Sequence, residues 1–193
     1  ADNTIIVMKL IDKTTEVVLD GLTFTGGNTK ALHQPDGGGG GLVVVRSRAT
    51  IRNCVFERNA AGAGGALGAE SNLGTLLISN TVFHNNNAKW YGAISMNYNN
   101  LVIESCVFSE NNGTESRAGA VGIAGGTANI NNTIFYKNYA TGWGGALWNE
   151  TATGVHTEIS NCVFYGNIAD GRSRSIENYN SGNDLVVKNS IIW

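Results

Sequence analysis

Proline occurs once in the 193 residues, and charged residues make up only 15% of them. A chain this poor in proline keeps a backbone N–H at almost every position, as long hydrogen-bonded ladders require. The formal net charge is −2, and no cluster of lysines and arginines stands out. That excludes the electrostatic footprint of a nucleic-acid partner. Long hydrophobic runs are missing too. Ile5-Ile6-Val7-Met8 and Leu42-Val43-Val44-Val45 are the longest, far short of the roughly 20 apolar residues of a bilayer-crossing helix. The first residues lack the basic and apolar regions of a signal peptide, so no leader is expected among them. Cysteine is limited to Cys54, Cys106 and Cys162, an odd number that does not make a disulfide framework. His33, His84 and His156 share no phase with one another. Neither a metal site nor a cofactor is therefore expected.

What the chain has in excess is glycine, 26 residues, and a recurring phrase. Ile51-Arg52-Asn53-Cys54-Val55-Phe56-Glu57-Arg58-Asn59 returns as Ile159-Ser160-Asn161-Cys162-Val163-Phe164-Tyr165-Gly166-Asn167. Copies between them centre on Phe83, Phe108 and Phe135, an earlier one on Phe24, and a last one ends at Ile192. The gaps between these anchors are 32, 27, 25, 27, 29 and 28 residues. Strand-forming residues at such a period imply stacked supersecondary units. Each copy offers three short strands with no reversing turn between them, as in Gly65-Ala66-Leu67, Leu76-Leu77-Ile78 and Thr81-Val82-Phe83. Each strand must then pair in parallel with its own counterpart one repeat later. The predicted fold is all-β, a single-stranded parallel β-helix of six to seven coils of 25–32 residues. It fills 1–193 as one domain, with 1–16 as a partial N-terminal cap or first coil. The C-terminal end, Ser190-Ile191-Ile192-Trp193, stops on a strand and is read as uncapped. Continuation in a longer chain or end-to-end self-association is the expectation.

Alternation along a strand assigns directions. If Phe56 points inward, so does Cys54, and Val55 points out. The cysteines alternate at one repeat position with Thr81, Thr133 and Ser190, so they are expected to be free, inert core thiols. Asn53, Asn80, Asn132, Asn161 and Asn189, with Ser105, precede the third strand, where a left-handed bend suits Asn. These side chains are expected to form a ladder along one corner. Asn59, Asn86, Asn111, Asn138 and Asn167 close the same strand. The run Gly37 to Gly41 is read as the flexible end of a long loop.

Gly-Gly-Ala-Leu at Gly64 to Leu67 and Gly144 to Leu147, paired with Phe-x-x-Asn from Phe56 to Phe164, resembles the repeats of chlamydial polymorphic outer-membrane proteins. It is equally similar to β-helix regions of large bacterial surface proteins with C-terminal anchor domains. The opening Leu19-Asp20-Gly21-Leu22-Thr23-Phe24-Thr25-Gly26-Gly27-Asn28 is similar to a first coil of that second group. The resemblance covers roughly residues 17 to 193. The glycine pair is lost at Arg117-Ala118-Gly119-Ala120 and at Arg172-Ser173-Arg174-Ser175. This resemblance implies a right-handed, pectin-lyase-like architecture, a bacterial cell-surface or extracellular location, and an adhesive or structural role. It implies no shared catalytic residues.

Chemistry is sought on the outer face of the Gly-Ala strand. Phasing from inward Leu67, Ile94, Val121, Leu147 and Ile176 puts Gly68, Ser95, Gly122, Trp148 and Glu177 outward. Glu70, Asn97, Ala124, Glu150 and Tyr179 follow two residues on. Most of that face is Ala, Gly and Ser and is expected to be a flat floor. At one corner Trp148, Glu150, Glu177 and Tyr179 gather, the candidate ligand-binding residues. Such a corner suits a glycan or a protein on a host or neighbouring cell. Glu150 and Glu177 could alternatively form the acid/base pair of a polysaccharide-active enzyme. A passive stalk is the third reading. Trp90, Tyr91, Tyr139 and Trp143 are read as loop-packing aromatics.

Overall fold

The computed structural model describes residues 5–30, 38–115, 117–150, 156–179, 182 and 184–193, with Asn99 described by its backbone alone. His33 and Gly37 lie outside the described residues. Every repeat is a coil of extended segments, paired in parallel with the next coil in register. Phe56, Phe83, Phe108, Phe135 and Phe164 are direct partners in turn. The product is the expected parallel β-helix.

Each complete coil carries four segments where three were read. In one coil they are Leu67–Glu70, Thr75–Ser79, Val82–His84 and Asn87–Ala88. The unforeseen fourth is two residues long, too short to show a periodicity in sequence. In the next two coils the first two segments run together, as Ile94–Glu104 and Val121–Asn131. The fourth segments form a 5-stranded sheet and the phenylalanine segments a 7-stranded one. Five coils are therefore complete, against the six to seven expected. Among the described residues, the coil around Phe24 has an isolated bridge from Asn28 to Ala60 at the fourth position. Within residues 1–16, Met8–Ile11 is a strand in register with Leu42–Val45.

The interior is a set of columns. The rings from Phe24 to Phe164 stack with centroids 4.4–5.0 Å apart and planes within 8°. Cys54, Cys106 and Cys162 are buried and free. The bend before each phenylalanine segment is left-handed throughout, with φ from 46° to 54° at Asn53, Asn80, Ser105, Asn132, Asn161 and Asn189. These side chains do not form the expected corner ladder. Asn132 donates to Ser105 within the column, whereas Asn53 donates to Asp20 and Asn161 to Asn131, outside it. The continuous ladder is the other asparagine column. Asn59, Asn86, Asn111, Asn138 and Asn167 are buried, and each amide donates to the next at 3.0–3.1 Å. The same amide nitrogens also donate to the carbonyl of the phenylalanine one coil back, as Asn111 does to Phe83. The second column follows a tight turn that turns its side chains inward. The first sits on an outer bend facing water.

The glycine run is also not a flexible loop end. Gly38 bridges Ala63, which aligns Gly39-Gly40-Gly41-Leu42 with Gly64-Gly65-Ala66-Leu67. Gly39, Gly64 and Gly144 all take φ of 60–77° at this position, a conformation that costs glycine little. The run is an early copy of the Gly-Gly-Ala-Leu phrase, masked by the extra glycines around it.

Candidate functional site

The corner begins with register. Leu147–Glu150 pairs with Val121 to Ala124 on one side and with Ile176–Asn178 on the other. Trp148 therefore stands between Gly122 and Glu177 on the outer face of the Gly-Ala sheet, as the phasing requires. That face is not an open floor. The chain entering each coil lies across the strand of the next. A side chain on Gly68 would strike the Gly38 backbone at 2.6 Å, and one on Gly122 would meet the Tyr91 ring at 2.1 Å. Trp148 itself is only 1% exposed. It is a buried anchor of a small apolar cluster with Ala63, Tyr91 and Ala118, and not an exposed platform. Its indole N–H has no acceptor among the described residues.

Covering Trp148 is Arg117. The guanidinium carbon lies 4.5 Å from the Trp148 ring centroid, 5.6 Å from Trp90 and 5.9 Å from Tyr91, all within cation–π range. Arg117 donates to the Tyr91 hydroxyl at 2.7 Å, and Glu150 stands 3.7 Å from the same nitrogen. Burial pushes the Tyr91 hydroxyl upward from its ordinary value, with Arg117 opposing. A second cation lies farther along. Arg172 sits 5.1 Å from the Trp143 centroid, Trp143 stacks on Tyr179 at 5.4 Å, and Tyr179 lies 6.1 Å from Trp148. Glu177, 9% exposed, accepts from Ser173 and lies 3.8 Å from Arg172.

All four predicted residues thus meet at one corner, with Trp148 inside it and Glu150, Glu177 and Tyr179 around it. Glu150 and Glu177 are each engaged by a different arginine. Five participants read as loop packing or as departures belong here too: Trp90, Tyr91, Arg117, Trp143 and Arg172. Tyr91 bridges Ala118, which places Trp90 beside Arg117. The bonds from Gly119 to Gly144 and from Gly145 to Ser173 extend the row to Trp143 and Arg172. Trp, Arg, Trp, Arg therefore alternate on successive coils, two places before the Gly-Ala position. That alternation was present in the sequence, but only correct alignment of the loops reveals it. Tyr139 stands apart, donating to Asp170.

The family model described as a right-handed β-helix region matches residues 10–164. The metabotropic glutamate receptor-like protein R of Dictyostelium discoideum is 31% identical over 145 residues, or 74% of this chain. The chain spans 9% of that protein's length. No solved structure matches.

Proposed function

The chain belongs to the right-handed β-helix family, and from that premise we propose that it is a non-catalytic binding module at the cell surface or outside the cell. Its rigid lateral edge contacts a glycan or a surface protein. The observation that carries this reading is the axial row Trp90, Arg117, Trp143, Arg172, flanked by Tyr179 and the two carboxylates. Trp90 is 41% exposed. Planar apolar faces next to fixed charged donors and acceptors are the composition of recognition sites. A relative named as receptor-like supports a surface setting.

A glycan-array comparison of the unsubstituted protein with Trp143→Ala tests it. Trp148→Ala is the wrong control, because it opens a cavity in a buried cluster. Specific signal lost in Trp143→Ala, with the melting temperature kept, is the expected result. Equal signals from the two proteins, or shortened oligosaccharides in the incubation, would overturn the reading.

A further inference from the structure

We propose that Trp90, Tyr91, Trp148 and Glu150 form a cation-binding aromatic cage whose present occupant, Arg117, gives way to an external alkylguanidinium group. Three aromatic faces and one carboxylate surround a single guanidinium, at 4.5–5.9 Å from the ring centroids and 3.7 Å from the carboxylate oxygen. The cage is built by three successive coils. One supplies Trp90 and Tyr91, the next Arg117 and Gly122, and the third Trp148 and Glu150. Gly122 makes the room, since the Tyr91 ring occupies the place of any side chain there.

The way Arg117 is held points to exchange. A guanidinium has five N–H donors in a planar fork, and a structural arginine commonly spends two on one carboxylate. Among the described residues Arg117 makes one hydrogen bond, to Tyr91, while Glu150 stays beyond hydrogen-bond reach. Its side chain is 36% exposed. What holds it is mainly attraction to the rings, which any guanidinium of similar shape reproduces. Tyr91 is a buried residue whose hydroxyl oxygen accepts a hydrogen bond from the guanidinium, which favours a guanidinium over a quaternary ammonium, because the latter has no N–H. The ligand is accordingly a free alkylguanidinium compound or an arginine side chain on a partner. Arg117 lowers the apparent affinity by the fraction of time it fills the cage.

The test is a titration of tryptophan fluorescence with methylguanidinium chloride, against sodium chloride at equal ionic strength. Arg117→Ala should show saturable quenching and a rise in melting temperature, and the unsubstituted protein the same response at higher concentration. Adding Tyr91→Phe to Arg117→Ala should weaken binding about tenfold or more, the loss of a hydrogen bond to a charged group. Adding Trp90→Ala should abolish the quenching. Tetramethylammonium should bind less well than methylguanidinium. An arginine-containing tripeptide binding tighter than methylguanidinium assigns the site to a partner protein, and equal affinity assigns it to a free cation. Arg117→Gln replaces Arg117→Ala if the latter does not fold. A folded variant that gives no saturable response, or one whose response survives Trp90→Ala, overturns the proposal. The inference does not rest on glycan recognition: methylguanidinium has no sugar hydroxyls, so a silent glycan array leaves this titration unaffected.

Discussion

At the scale of the residue, the cysteine position shows how chemistry and size act together. Cys54, Cys106 and Cys162 each turn the thiol to the carbonyl two residues back, at 3.1–3.3 Å. Thr81, Thr133 and Ser190 do the same with their hydroxyls at 2.7–2.9 Å. The position selects a small side chain with a hydrogen to donate, and the sulfur itself is incidental. Burial pushes the Cys106 thiol up to about 11. A thiol held above its ordinary value in the fold contributes stability that is complete below that value. The contribution drains away as pH rises toward the folded value. Cys106→Thr keeps the carbonyl contact and removes the titration. The variant is expected to lose less than about 1.5 kcal/mol at neutral pH. Urea denaturation from pH 7 to pH 11 should show the parent losing its advantage above the ordinary thiol range of about 8.5. A constant difference across that range would contradict the assignment.

At the scale of the element, the phenylalanine segment is only three residues long, yet it sets two columns at once. Its middle residue stacks ring on ring, and the turn after it delivers the buried asparagine. Asn59, Asn86, Asn111 and Asn138 each tie their own coil to both neighbours. Asn111 donates to Phe83 and to Asn138, and its carbonyl oxygen accepts from the backbone and side chain of Asn86. Neighbouring rings are fixed by these bonds and cannot slide into a vacancy. Phe108→Ala should therefore cost roughly 3–5 kcal/mol, the upper part of the range for large-to-small core changes. Equilibrium denaturation measures it. A loss below about 1 kcal/mol would mean that the stack collapses around the gap, contrary to the fixed ladder.

At the scale of the whole molecule, each coil touches its neighbours and little else, so stability is distributed along one dimension. Burial is complete along the ring stack from Phe56 to Phe164, each 0% exposed. It thins at Asp184–Lys188, which has no buried residue. Amide hydrogen exchange should follow this gradient, with the slowest amides in Val82–His84, Val107–Ser109 and Ile134–Tyr136. Those of Asp184–Lys188 should exchange faster by local opening. Uniform protection from Val55 to Lys188 would show a single cooperative unit and remove the one-dimensional description.

The repeat phase alone determined the parallel coil, the inward phenylalanines and the buried free cysteines, because period two within a strand and a constant period between strands leave one arrangement. It also put Trp148, Glu150, Glu177 and Tyr179 at one corner, since register follows from the same spacing. Which asparagine column forms the ladder was settled only in three dimensions, where one bend faces solvent and the other turns inward. The fourth segment was too short to be periodic, and the glycine run hid its own phase. The burial of Trp148 and the place of Arg117 depended on how loops of unequal length cross the next coil. Loop crossing has no period in sequence; it is decided by packing against neighbours that only the folded coil brings together.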